Sequence, residues 1–162
     1  MTEQSKTFLY EYLNNASPTG FEASGQQIWL DYLKPYIDET IIDVYGTAVG
    51  VINPGQPYKV VIEAHADEIS WFVNYIDDNG YIFVRRNGGS DAVIAPSMRC
   101  NLHTKKGVVK GVFGYPAIHV RDLGKDKAPT VNDIFIDLGA ARGVRQCARA
   151  GCPWCRRRCT CG

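Results

Sequence analysis

A short, mostly apolar run at residues 59–64 (KVVIEA) places the strongest constraint on how this chain can fold. Such a run is typical of a strand that is buried on both faces, as in a parallel sheet covered by helices. His65 and Asp67 follow the run directly. They would therefore lie at the carboxyl end of that strand, where ligands collect in open α/β sheets. The predicted fold class is α/β.

Length and composition agree with a packed protein of modest size. The 162 residues suffice for one ordinary domain, or for one small domain and part of a second. The apolar fraction of 45% and the charged fraction of 22% lie near globular averages, so neither disorder nor a fibrous repeat is indicated. No apolar run reaches the length of a membrane span, and the acidic opening residues lack a signal-peptide pattern. We expect a cytoplasmic protein without membrane contact.

Charge and cysteine divide the chain near Ala140. Residues 1–140 carry 12 lysines and arginines against 17 acidic residues, whereas residues 141–162 carry six arginines and no acid. The acidic body argues against nucleic acid as a partner. Five of the six cysteines crowd the last segment: Cys147, Cys152, Cys155, Cys159 and Cys161.

The periodicity of apolar residues predicts helices first and strands afterwards. Apolar residues at three-to-four spacing predict helices at residues 5–16 and about 22–36, the second of which Thr19 or Gly20 could cap. β-Branched residues around two glycines predict a pair of short strands within residues 40–52.

Beyond residue 69 the pattern becomes one of strands only. Alternating apolar residues on either side of Asp77-Asp78-Asn79-Gly80 predict a hairpin. Further strands are predicted near residues 98–103, 107–113 and 133–138, with no helix of useful length between residues 70 and 140.

His65 and Asp67 are the candidate chemical residues. A neutral imidazole is a common metal ligand, and a nearby carboxylate can fix its tautomer and raise its basicity. Spacing alone leaves two other interpretations open, a hydrogen-bonded structural pair and two unrelated surface residues.

A longer pattern surrounds this pair and resembles a known family. The stretch AHADEI at residues 64–69 resembles the first metal-ligand motif of the glutamyl and tetrahedral aminopeptidases, co-catalytic metallopeptidases that include proteins once labelled endoglucanases. Residues 17–33, 41–52, 87–120 and 133–140 are similar to further segments of that family, in the same order. The likeness covers roughly residues 8–140.

The resemblance implies a divided architecture and specific roles. Residues 1–68 would be the N-terminal part of a zinc-peptidase-like α/β domain, and residues 69–140 a small all-β, barrel-like insertion domain that helps assemble oligomers. His65 matches the first metal ligand, and Asp67 matches the acid that orients and polarises it. His119 matches a histidine near the end of the β domain, with either a structural hydrogen bond or a place near the active site as its role.

Function and cofactors follow from the same likeness. It implies release of N-terminal residues from short peptides, by a homo-oligomer that uses two divalent ions per site, zinc, cobalt or manganese.

Three departures from the family pattern qualify this expectation. Thr47 stands where the family usually has Asn, and Ser70-Trp71 replaces the usual Gly-Phe. The family's remaining metal ligands and its catalytic glutamate lie downstream of the matched region. Because a two-metal hydrolase needs several ligands and a general base, the 162-residue chain is expected to bind the ions poorly and to hydrolyse peptides negligibly.

Residues 141–162 do not resemble the family. They are rich in Arg, Cys, Ala and Gly and have neither acidic residues nor a periodic pattern of apolar residues, which indicates translation out of frame. The alternative for this segment is a zinc or redox site built on Cys152 and Cys155, although strong zinc sites usually pair two C-x-x-C motifs. Cys100 is predicted to be a buried thiol.

For the chain as a whole, the alternative to an enzyme is a non-catalytic module for assembly or binding.

Overall fold

The computed structural model describes residues 1–122, 124 and 127–139, and divides the chain after Ile69 into two units. In the first unit, helix α1 spans Glu3–Asn14 and helix α2 spans Ala23–Leu33. Both predicted helices are thus confirmed. Their contact includes Phe8 and Tyr32, whose rings stack with centroids 4.1 Å apart.

The two helices begin differently. Thr2 caps α1, because its hydroxyl oxygen accepts a hydrogen bond from the Ser5 N–H. Helix α2 starts after Glu22 without a side-chain cap, so the prediction that Thr19 or Gly20 caps it is wrong. The Thr19 hydroxyl is engaged elsewhere, with the carboxylate of Asp67.

A two-stranded antiparallel sheet follows the helices. Strand β1 spans Glu39–Ile42 and strand β2 spans Ala48–Val51, with Glu39 opposite Val51. The turn between them contains Gly46 at φ +86°, a conformation that glycine adopts without steric cost. The predicted strand pair is confirmed.

The predicted buried strand at residues 59–64 is absent. The segment has no strand assignment, and its apolar side chains face solvent: Val60 is 74% exposed, Val61 81% and Ile62 95%. A strand of a parallel sheet needs neighbours that pair with its backbone and cover its faces. The described part of the chain places no strand beside this segment, so the local apolar signal does not produce the predicted element.

The second unit begins at Ser70 and is built on a five-stranded antiparallel sheet. Its strands are β3 (Ser70–Ile76), β4 (Ile82–Asn87), β5 (Arg99–Thr104), β6 (Gly107–Gly114) and β7 (Phe135–Asp137), in the spatial order β3-β4-β7-β6-β5. All the predicted strands of this region are confirmed. Between residues 70 and 139 the described helical structure is limited to the short 3-10 turn Ile118–Val120.

One face of this sheet carries the core. Alternation along the strands directs Ile82 and Val84 to the same side, where Phe113 and Ile136 also lie. Trp71 packs against Phe113, with ring centroids 5.4 Å apart. The buried apolar side chains of this core are Ile82, Val84, Ala92, Ala95, Leu102, Phe113, Ile134 and Ile136.

Candidate functional site

His65 and Asp67 lie in direct contact. The ring nitrogen Nδ1 of His65 is 3.0 Å from Asp67 Oδ1 and 2.9 Å from the Asp67 main-chain carbonyl oxygen. A carboxylate accepts only, so Nδ1 carries the proton in this pair when the ring is neutral. Nε2 is then the nitrogen whose lone pair is available to another ligand, and 85% of the His65 side chain is exposed.

The second oxygen of the Asp67 carboxylate is bound from a distant part of the chain. The Thr19 hydroxyl donates to Asp67 Oδ2 at 2.5 Å. Hydrogen bonds from Thr19 first, and from His65 second, hold the pKa of Asp67 below its ordinary value. The carboxylate is therefore ionised at neutral pH, as an acid that orients a metal-ligating imidazole must be.

The backbone around Asp67 is held by the loop that precedes α2. Glu68 N–H donates to the Ser17 carbonyl oxygen at 2.9 Å, and Ser17 N–H donates to Glu68 Oε1 at 2.9 Å. Pro18 and Glu68 also form an isolated parallel bridge. This loop, rather than a flanking strand, fixes the position of residues 67 and 68.

Ser17, Thr19 and Glu68 are site residues that the sequence reasoning missed. Ser17 and Thr19 lie between the two predicted helices, and the family resemblance implies no catalytic role for Glu68. Their partners are about 50 residues away, so neither periodicity nor spacing pairs them. One signal in the sequence could have linked these residues: the stretches SPTG at residues 17–20 and ADE at residues 66–68 both lie within segments that resemble the same family.

His119 belongs to the second unit and lies in the 3-10 turn Ile118–Val120. Its side chain is exposed. Nearby, the Arg121 guanidinium lies 5.0 Å from the centroid of the Tyr115 ring. His119 is thus accessible, and its role stays a prediction.

The described residues do not by themselves complete a metal site. Within residues 1–122, 124 and 127–139, no three or more His, Cys, Asp or Glu side chains converge so that they could hold a metal ion. What the site offers is one exposed imidazole nitrogen backed by an ionised acid. That arrangement can contribute one ligand to an ion whose other ligands come from elsewhere.

The cysteine predictions divide between the two parts of the chain. Cys100 is a free thiol on β5 that is only partly buried, less than the sequence predicts, and this burial raises its pKa. Cys147, Cys152, Cys155, Cys159 and Cys161 lie outside the described residues. In the described ranges no helix combines the length and the apolar character of a membrane span.

Comparison with known proteins places the chain in a family. The family model described as M42 glutamyl aminopeptidase matches residues 46–149. The lysyl aminopeptidase of Pyrococcus furiosus is 34% identical over 138 residues, a match that covers 82% of this chain and 39% of that protein. The chain thus spans about two fifths of the length of this relative.

Solved structures of related peptidases share the fold. A TET aminopeptidase from a marine-sediment thaumarchaeon superposes with a TM-score of 0.87 at 25% identity, over 92% of this chain and 42% of the other. The TET1 peptidase of Pyrococcus horikoshii, described as able to assemble into a tetrahedron or a large octahedral shell, superposes with a TM-score of 0.73 at 24% identity, over 85% and 41% of the two chains. Because the family model matches more than half of this chain, the chain belongs to the M42 glutamyl aminopeptidase family.

Proposed function

We propose that this chain is the N-terminal portion of a metal-dependent aminopeptidase, in which His65 is a metal ligand and Asp67 is the acid that orients it. The observation that carries the proposal is the 3.0 Å contact between His65 Nδ1 and Asp67 Oδ1. This contact fixes Nδ1 as the protonated nitrogen and leaves the lone pair of Nε2 directed away from the acid. Family membership gives the pair its chemical context.

The ions proposed for the whole enzyme are divalent, zinc, cobalt or manganese, with two per site. When bound, such ions polarise the scissile carbonyl and lower the pKa of a coordinated water. In this chain His65 would supply one ligand, while Asp67 would hold the ring. Because no set of three candidate ligands converges in the described residues, we infer that metal binding by the 162-residue chain is weak and that peptide hydrolysis is negligible.

The proposed domain organisation follows from the two units. We infer that residues 1–68 belong to the α/β catalytic domain and residues 69–140 to a β-barrel-like insertion domain. The division after Ile69 and the purely antiparallel sheet that follows it support this assignment. For residues 141–162 we propose translation out of frame, which the six arginines, the five cysteines and the lack of acids support.

The substrates and assembly of the whole enzyme are inferred from its relatives. We propose short peptides as substrates, in line with the aminopeptidase names of the related proteins. A homo-oligomer is proposed because the TET1 peptidase of Pyrococcus horikoshii is described as able to assemble into a tetrahedron or a large octahedral shell. The acidic charge of residues 1–140 argues against nucleic acid as a partner. We also propose a cytoplasmic protein without membrane contact, because the opening residues lack a signal-peptide pattern.

The test is a zinc titration of the full chain, with the five cysteines of residues 147–161 replaced by serine and the histidine ring signals followed by NMR. His65 signals should shift with added zinc, and His65→Asn should abolish the binding event. His103→Asn removes another exposed histidine and should leave that event unchanged. Zinc binding that persists in His65→Asn would refute the ligand assignment.

Activity is measured on the same samples. Release of the N-terminal residue from short peptides, with zinc, cobalt or manganese, should stay at the background of the metal alone. Metal-dependent turnover by this chain would contradict the inferred loss of activity. If His65 takes no zinc at millimolar concentration, the alternative of a non-catalytic assembly module is favoured.

A further inference from the structure

Both oxygens of the Asp67 carboxylate are engaged, one by His65, two residues before it, and the other by Thr19, 48 residues before it. Oδ1 faces the His65 ring at 3.0 Å, and Oδ2 accepts the Thr19 hydroxyl at 2.5 Å. Thr19, Asp67 and His65 therefore form a continuous hydrogen-bonded row. At the end of this row, Nε2 of the imidazole is the nitrogen that is not bonded to Asp67.

The turn that carries Thr19 holds its side chain in place. The Phe21 N–H donates to the Pro18 carbonyl oxygen at 2.8 Å, and Gly20 has φ +88°. A positive φ at the third position is the signature of a type II turn, which glycine allows without strain. Thr19 thus occupies the second position of a closed turn rather than a free loop.

The turn is also fastened to the segment that contains Asp67. Ser17, just before the turn, exchanges two hydrogen bonds of 2.9 Å with Glu68, just after Asp67. The distance between the Thr19 hydroxyl and the Asp67 carboxylate is consequently set by backbone on both sides. Their contact is a consequence of the fold of the first unit and not a chance meeting of two mobile surface side chains.

The chemical effect of Thr19 concerns the orientation of the carboxylate. The χ2 torsion of an aspartate is broad and roughly two-fold, so a partly exposed carboxylate rotates readily. A donor on Oδ2 removes this freedom and keeps Oδ1 in the direction of Nδ1. Together with the Asp67 main-chain carbonyl oxygen, 2.9 Å from Nδ1, the carboxylate then holds the imidazole in the tautomer that leaves Nε2 unprotonated, which is the form that binds a metal ion.

We propose that Thr19 is a positioning residue for His65: its hydroxyl fixes the Asp67 carboxylate, which in turn fixes the tautomer and orientation of the metal-binding ring. The inference rests on the proposed function only for its metal-binding consequence. The effect on the tautomer belongs to the metal-free chain. Because Thr19 is exposed, replacing it removes the hydroxyl without opening a core.

The experiment compares Thr19→Val, which keeps the shape and loses the hydroxyl, with Thr19→Ser, which keeps the hydroxyl. In the metal-free chain, ring ¹⁵N signals of His65 should report Nδ1–H as the main tautomer of the wild type. Thr19→Val should shift the population toward Nε2–H, whereas Thr19→Ser should resemble the wild type. Thr40→Val, at an exposed threonine of β1, should change nothing.

The second readout is zinc affinity at His65, with the cysteines of residues 147–161 replaced by serine. Loss of a group that supports a metal ligand typically weakens binding by about tenfold or more. We expect about tenfold for Thr19→Val and less than about twofold for Thr19→Ser. In an Asp67→Ala background, Thr19→Val should have no further effect, because the acid that connects the two residues is gone.

Two results would overturn the inference: an unchanged His65 tautomer in Thr19→Val, or equal losses in Thr19→Val and Thr19→Ser. Failure of the proposed function gives a different result. In that case His65 would take no zinc in the wild type, while the tautomer would still respond to Thr19→Val. The Ser17 and Glu68 amide signals verify that the turn stays attached in every variant.

Discussion

Ser17 and Glu68 are 51 residues apart in the chain and hold each other by two hydrogen bonds of 2.9 Å. The main chain of Glu68 donates to the Ser17 carbonyl oxygen, and its side-chain carboxylate accepts from the Ser17 N–H. The pair fixes the backbone next to Asp67. Because the described residues place no strand beside this segment, these bonds keep the Asp67 carboxylate near Thr19.

The first prediction concerns this pair. Glu68→Ala removes the acceptor of the Ser17 N–H, so the free energy of local opening should fall by about 1 kcal/mol, the usual net contribution of one hydrogen bond. The Ser17 amide should then exchange with solvent about fivefold faster, measured by NMR hydrogen exchange. Glu68→Gln retains Oε1 and should preserve most of the protection. Glu63→Ala, in the exposed segment, is the matched control. Equal exchange in Glu68→Ala and the wild type would contradict the prediction.

Local signals in the sequence were sufficient for most of the elements. The three-to-four spacing of Phe8, Leu9, Tyr12 and Leu13 identified α1. The turn at residues 77–80 between alternating apolar residues identified the hairpin of β3 and β4. These features depend on interactions between residues that are close in sequence, and the chain contains both partners of each interaction.

The predictions from sequence failed where the residue or element that completes an interaction is distant in sequence or missing from the described chain. Residues 59–64 have the composition of a buried strand, but burial requires neighbouring strands and helices, and the described chain supplies none at that place. His65 and Asp67 were identified through the family pattern and their contact is present. The prediction that Thr19 caps a helix is wrong, because the partner of its hydroxyl is Asp67, 48 residues away. Pairing at that range cannot be derived from one sequence.

The second prediction tests the packing of the β unit at Gly111. A Cβ at this position would lie 2.6 Å from Ile136 Cγ2 and 2.9 Å from Leu138 Cδ2, well inside van der Waals contact. Ile136 is buried and cannot withdraw freely. Gly111→Ala should therefore lower the free energy of unfolding of this unit by about 1–3 kcal/mol, the usual cost of overpacking. Urea unfolding, followed by the indole NMR signal of Trp71, measures the change.

Gly89 is the matched control for Gly111. A Cβ at Gly89 would meet no atom within 4 Å, so Gly89→Ala should change stability by less than about 0.5 kcal/mol. Equal effects of the two substitutions would imply that the sheet adjusts around Gly111 at little cost. That result would contradict the close packing of β6 against β7.

The third prediction concerns pH and the turn between β1 and β2. The N–H of Thr47 first, and those of Tyr45 and Gly46 after it, hold the pKa of Asp43 below its ordinary value. A lowered pKa in the folded state means that ionised Asp43 stabilises the turn at pH values above the ordinary aspartate pKa of about 3.9. This contribution is lost as the pH falls through the lower, folded-state pKa.

The measurement is a titration of the Asp43 carboxyl carbon by NMR, together with amide exchange at Thr47. The titration midpoint should lie below the ordinary value, and Thr47 protection should decline on acidification. Asp43→Asn should remove most of that acid-dependent decline. Asp78→Asn, in the turn of the other hairpin, should leave the response of Thr47 unchanged. A midpoint at or above the ordinary value would refute the role assigned to these backbone donors.

The last prediction concerns the exposed segment at residues 58–62. Tyr58 is 82% exposed, and Val60, Val61 and Ile62 are exposed by 74%, 81% and 95%. Exposed apolar patches and unpaired strand-like backbone both favour association with another chain. We therefore expect the chain to self-associate in a concentration-dependent manner through this segment. Burial of one aliphatic side chain contributes about 1.5–3 kcal/mol, so Val60→Ser with Ile62→Ser should raise the dissociation constant at least about tenfold.

Sedimentation velocity over a range of concentrations, under reducing conditions that prevent disulfides, tests this expectation. Val108→Ser with Val112→Ser is the control, because these side chains are 54% and 44% exposed on β6 of the other unit. Val60 and Ile62 lie two residues apart and would share one face of an extended segment, so the double variant makes that face polar while the backbone remains. If association persisted in this variant and was lost in the β6 variant, the copies would be meeting through the five-stranded sheet, and the exposed segment would not be the contact.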